Sequence, residues 1–134
     1  MITSITAHKR YFSFVFLSFS LMLAGCASTD SLNGSSSVFE VGKASFYHQK
    51  YHGRTTASGE RFDQSAMTAS HRTLAFGTRV RVTHQQTGRS VIVTINDRGP
   101  FIRGRVIDLS TAAFQKIAEL RSGVVPVRLE IVGE

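Results

Sequence analysis

The stretch "RSVIVTINDRGPFIRGRVIDLS", Arg89 to Ser110, decides how this chain is read. Its first part alternates, with Val91, Val93 and Ile95 on one face of an expected strand. Its last part, "RVID", is short and apolar and reads as a second strand. Asp97 and Asp108 stand eleven positions apart, with Arg98, Arg103, Arg105, two glycines and Pro100 between them. Two strands therefore meet at a tight loop that carries a carboxylate at each end. A solvated surface turn is one reading of that loop. A site that handles protons is the other.

Outward from this stretch the pattern repeats. "LAFGTRVRVTH" turns at Gly77 and then sets Val80 and Val82 against Arg79, Arg81 and Thr83. "QQTG" joins it to the next strand as a hairpin turn, with Gly88 for the left-handed position. "VGKASFY" and "MTAS" are shorter strands, separated by the long polar loop "HQKYHGRTTASGERFDQSA" with Gly53 and Gly59 as turn points. Ser110 caps an expected helix over Thr111 to Leu120, with Ala113, Ile117 and Leu120 on one face and Phe114 beside them. Gly123 stops that helix. "VVPVRLEIV" is a final strand through Val125, Val127, Leu129 and Ile131, and Pro126 belongs at an edge or at the strand start. Six short strands and one helix in about ninety residues, with no disulfide, do best as a closed or nearly closed barrel that exposes few edges.

The chain begins differently. His8-Lys9-Arg10 is basic, and Tyr11 to Leu23 is an apolar run of 13 residues, shorter than the roughly 20 a membrane-spanning helix needs. Small residues follow, which completes a secretory pattern. Leu23-Ala24-Gly25-Cys26 matches the bacterial lipobox, and Cys26 is the only cysteine. Residues 1–25 are expected to be a lipoprotein signal peptide and Cys26 the acylated first residue, with several acyl chains giving a stable membrane anchor. Residues 26–40 read as the lipidated cysteine and a Ser-rich tether, and 41–134 as the folded domain. Ala27 rather than an aspartate after the cysteine favours the outer membrane, facing the periplasm. The whole chain carries +7; without residues 1–25, 14 basic stand against 9 acidic residues, or +5. A basic balance suits polyanions. Export argues against nucleic acid and leaves the cell wall and anionic lipid.

Five segments, "GKASFY" (42–47), "HGRTTASGERFD" (52–63), "MTASHRTLAFGTRVRV" (67–82), "TGRSVIVTINDRGP" (87–100) and "GRVIDLS" (104–110), resemble the rare lipoprotein A (RlpA)-like family in order and spacing. The resemblance implies a mainly β fold, a six-stranded double-psi β-barrel with one short helix. It implies a peptidoglycan lytic transglycosylase that cleaves the MurNAc–GlcNAc bond and leaves 1,6-anhydro-MurNAc ends. Many members add a C-terminal glycan-binding SPOR module; here the expected last strand runs to the end of the sequence, so the reading is the barrel without it. The alternative from another class is a non-enzymatic, expansin-like glycan-binding lipoprotein on the same barrel.

The candidate residues follow. Asp97, at a strand end, is either a turn aspartate bonding its own backbone or a catalytic carboxyl. Asp108, among Val106, Ile107 and Leu109, is either a helix N-terminal charge or a buried general acid. The two rank equally as the acid that protonates the leaving oxygen. The resemblance adds His71, Glu60 and Asp63 around it; from their chemistry, Arg98, Arg103 and Arg105 suit acetamido or carboxylate groups of the glycan, and Tyr47 and Phe101 suit sugar rings. An arginine beside the acid would oppose its role, so at least one of the three points elsewhere. His48 and His52 are four apart in a loop with no third ligand evident, so no metal is expected, and no cofactor. The expected partners are peptidoglycan strands and a membrane reached through Cys26, with the protein a monomer.

Overall fold

The computed structural model describes residues 37–133. The expected signal peptide, Cys26 and most of the tether lie outside the described residues. The elements in chain order are β1 (Val38–Phe46), β2 (Thr68–Ser70), β3 (Arg79–His84), β4 (Ser90–Asp97), β5 (Arg105–Leu109), α1 (Thr111–Ile117) and β6 (Val125–Ile131), with single 3-10 turns at Gln49–Tyr51 and Leu120–Ser122. The six strands close into a barrel in the order β1-β5-β2-β4-β3-β6. The β1–β5 and β2–β4 pairs are parallel and the other four antiparallel. The expected double-psi β-barrel with one short helix is the fold found.

Alternation sends one face of each strand into the barrel. Val80 and Val82 of β3, Val93 and Ile95 of β4, and Val127 and Leu129 of β6 are all essentially inaccessible. Burying such a side chain is worth about 1.5–3 kcal/mol, so this inner face is a main source of the domain's stability. The β5 strand is different. Val106, Ile107, Asp108 and Leu109 are consecutive and all buried, because the strand is covered on both faces. Phe114 and Ile117 of α1 complete the core, with Phe114 4.8 Å ring to ring from Phe46. Ser110 caps α1 as expected, its hydroxyl accepting from the Ala113 N–H at 3.1 Å.

Two boundaries differ from the sequence reading. The barrel starts at Val38, not near Val41, because Val38 and Glu40 pair with Glu130 and Leu129 of β6. The helix ends at Ile117 instead of Leu120. Ala118 is extended, and that gain in rise per residue helps the chain return to the barrel, where Val125 pairs with Ala44. Ile131, the last of the alternating residues of β6, is exposed. Pro126 is the second residue of its strand, as its missing N–H requires. At Gly42 a Cβ would stand 2.4 Å from Val106 Cγ1, so β1 can approach β5 only because that residue has no side chain.

Candidate active site

Ser70, the last residue of β2, is where the two aspartates come together. It pairs with Asp97 of β4 on one side and with Asp108 of β5 on the other. Adjacent strands lie about 4.8 Å apart, so the aspartate backbones are separated by roughly 10 Å. The loop 98–104 joins two antiparallel strands that hold β2 between them, which turns an eleven-residue separation into a pair of carboxylates flanking one serine. A pocket of about 550 Å³ opens here. Ser70, Asp97, Asp108 and Arg105 line it, with Tyr47, Tyr51 and Phe62 from the long loop side and Gly99, Phe101 and Ile102 from the loop after β4.

Asp97 is held at both oxygens. Its Oδ1 accepts from the backbone N–H groups of Ala57 and Arg98, each at 2.9 Å, and its Oδ2 accepts from the Tyr47 hydroxyl at 2.7 Å. With two N–H donors on Oδ1, a proton on this carboxyl sits on Oδ2. The Tyr47 ring is wedged against Phe62, 4.5 Å between centroids, and edge-on to Tyr51 at 5.9 Å. Its hydroxyl also meets the Ser70 side chain, and burial together with the neighbouring aspartates pushes it well above the usual phenol range. Tyr47 therefore stays a hydrogen-bond donor at any working pH.

Asp108 is treated differently. It is 9% exposed, and Arg105 grips it from the same strand, with Nε donating to Oδ1 at 3.0 Å and Nη2 to Oδ2. Burial pushes the Asp108 carboxyl up, and the Arg105 guanidinium pulls it back part of the way. The fork uses Nε and Nη2 of Arg105 and leaves Nη1 without a protein partner among the described residues.

The other candidates serve the walls. Arg98 lines the pocket, but its guanidinium donates to the carbonyls of His71 (3.2 Å) and Leu74 (2.8 Å) and sits 3.9 Å over the Phe76 ring. His71 is 2% exposed and bonds to Glu40. Glu60 is exposed and accepts from the Asn96 amide at 3.1 Å, tying the long loop to β4. Asp63 is exposed and caps its own turn at Ser65, whose hydroxyl and N–H hold its carboxyl below the usual range. Among the described residues His71, Glu60, Asp63 and Arg103 do not line the pocket. Phe101 does, and it is 82% exposed at the rim. His48 and His52 use their Nδ1 atoms to accept from the N–H groups of Lys50 and Gln64.

Residues 39–129 match the family model described as "Lytic transglycolase". The chain belongs to this family. Among curated proteins it is 62% identical over 94 residues to the "Probable endolytic peptidoglycan transglycosylase RlpA" of Nostoc sp., covering 69% of this chain and 25% of the relative. It is 48% identical over 93 residues to the "Endolytic peptidoglycan transglycosylase RlpA" of Vibrio cholerae, covering 69% and 35%. The chain thus aligns with only a quarter to about a third of the length of these relatives. Of solved structures, the Streptomyces papain inhibitor superposes with a TM-score of 0.57 at 27% identity, over 72% of this chain and 97% of that one. The apo expansin of Clavibacter michiganensis superposes at 0.56 and 24% identity, over 70% and 50%, which speaks for the barrel alone.

In this lytic transglycolase domain one pocket residue, Ser70, and two residues outside the pocket, Gln64 and Glu40, have roles that no local sequence pattern signals. Ser70 is one serine in a three-residue strand, and only the barrel topology sets it beside both aspartates. Gln64 is buried where a polar loop was expected, its amide donating to the Tyr47 carbonyl and accepting from Thr111. Glu40 was assigned to the tether and has a partner inside the barrel wall.

Proposed function

We propose that this domain is a peptidoglycan lytic transglycosylase that breaks the MurNAc–GlcNAc bond and leaves a 1,6-anhydro-MurNAc end. The observation that carries the reading is the unlike pair of carboxyls on one pocket: Asp97 held only by uncharged donors, Asp108 locked to a guanidinium. The family and the names of the relatives support the same chemistry.

Asp97 delivers the Oδ2 proton to the glycosidic oxygen as the MurNAc C1–O bond breaks, and the GlcNAc end leaves as a neutral alcohol. The MurNAc 6-hydroxyl then attacks C1, and its proton returns to Asp97 Oδ2. The carboxyl ends as it began and no water is consumed. Asp108 fixes Arg105, whose free Nη1 meets an acetamido or carboxylate oxygen of the glycan. Tyr51 and Phe101 offer faces to sugar rings at the pocket.

The lipobox at Leu23–Cys26 supports a lipid anchor on Cys26, and Ala27 supports outer-membrane sorting, facing the periplasm. A barrel that closes on itself leaves no strand edge for pairing, which supports a monomer.

Mass spectrometry of soluble products after incubation of the purified protein with peptidoglycan tests the reading. The expected result is fragments ending in 1,6-anhydro-MurNAc. Reducing ends would mean a hydrolase. Binding to the wall with no release would leave an expansin-like binder.

A further inference from the structure

The His71 imidazole lies outside the pocket, yet it makes more contacts than a packing residue needs. Its Nδ1 accepts from two backbone N–H groups, Thr73 at 3.2 Å and Leu74 at 3.1 Å. The proton is therefore on Nε2, which points at Glu40 Oε2, 2.7 Å away. The other Glu40 oxygen takes Arg72 at 3.1 Å. The ring thus winds residues 71–74 into a tight turn and pins it to β1.

That turn is what Arg98 holds. The carbonyls of His71 and Leu74 receive the guanidinium, and Phe76, a few residues on, stacks beneath it. The His71 N–H donates to the Asp97 carbonyl at 3.2 Å. Arg98 in turn gives its own N–H to Asp97 Oδ1. A continuous set of contacts runs from Glu40 through the imidazole, the turn and Arg98 to the carboxyl that moves the proton. A displacement of about 1 Å at a reacting group can cost on the order of a hundredfold in rate.

We propose that Glu40 is a positioning residue for Asp97: by accepting the His71 Nε2–H it pins the 71–76 turn to β1, and through Arg98 it sets the direction of the Asp97 carboxyl. The rate part of this inference rests on the proposed transglycosylase activity; the geometric part does not.

Two variants separate the possibilities. Glu40→Gln keeps an acceptor for Nε2–H, whereas Glu40→Ala removes it. In the wild type, nitrogen NMR of the imidazole should find the Nε2–H tautomer, and finding the Nδ1–H form overturns the proposal even if no variant folds. In Glu40→Ala the Arg98 amide should exchange about tenfold faster while Val82 and Leu129 keep wild-type protection. On peptidoglycan, kcat should fall about tenfold or more with KM unchanged, and Glu40→Gln should recover most of it. Equal loss in both variants, or a loss that follows global stability, means a structural role only and overturns the proposal. If the wild type releases no product, the functional reading fails, and the tautomer and Arg98 exchange still decide this one.

Discussion

Asp97 and Asp108 flank the same serine and line the same pocket, yet the barrel handles them in opposite ways. Asp97 is surrounded by donors that carry no charge: a phenol and two backbone N–H groups. Asp108 is buried deeper and given a guanidinium. The first arrangement orients a carboxyl without setting a fixed charge against it. The second holds a charge in place, since a bidentate arginine partner is strongest on an ionised carboxylate. In the proposed reaction the two residues therefore divide the labour: Asp97 transfers the proton, and Asp108 anchors the arginine that would grip the substrate.

The sharpest way to break this comparison is to neutralise one member. Asp97→Asn keeps an acceptor for Ala57 and Arg98, so the fold and glycan binding should survive. Product release should fall by about a hundredfold to ten-thousandfold. Loss of binding with the rate per bound strand intact would reverse the assignment.

Removing the guanidinium sharpens the other half. In Arg105→Gln the Asp108 carboxyl loses the partner that pulls it down and rises further. A buried acid whose folded value lies above its unfolded value is stabilised when protonated. The variant should thus be destabilised at neutral pH, by up to roughly 3 kcal/mol, and should recover as pH falls through the raised value. Thermal melts across pH test this. A loss that is the same at every pH would show that Arg105 acts by packing.

A smaller effect is expected at Tyr47. Tyr47→Phe keeps the ring against Phe62 and removes only the donor to Oδ2. The rate should fall by about tenfold to a hundredfold at unchanged KM, in line with the roughly 1.5–3 kcal/mol typical of hydrogen bonds to charged groups. A raised KM instead would make Tyr47 a substrate contact. Phe101→Ala should change melting least, by under about 0.5 kcal/mol, because the ring is mostly exposed. Its effect should appear as weaker glycan binding, and unchanged sedimentation with the wall would remove it from the site.

Much of this was legible in the sequence. Strands β3, β4 and β6 announce themselves because alternation reports a half-buried face directly. The two aspartates stand out as carboxylates where apolar strands end. What spacing cannot convey is which strand lies between them. Ser70 acquires its place only when β2 enters between β4 and β5, and Arg98 looks like a pocket arginine until the 71–74 carbonyls claim it. Glu40 falls in a segment whose serines and glycine before it read as tether, and its partner is 31 residues away. Long-range pairings of this kind leave no local pattern.

Whether Asp97 gives the proton is tested most directly with a substrate that needs none. On peptidoglycan, Asp97→Asn and Asp108→Asn should both be impaired. On a nitrophenyl glycoside of a GlcNAc–MurNAc disaccharide, whose leaving group departs unassisted, a single turnover of Asp97→Asn should release nitrophenolate within about tenfold of wild type. Asp108→Asn should stay as impaired as on the natural glycan. The opposite pattern, with Asp108→Asn rescued and Asp97→Asn not, would contradict the division of roles between the two carboxyls.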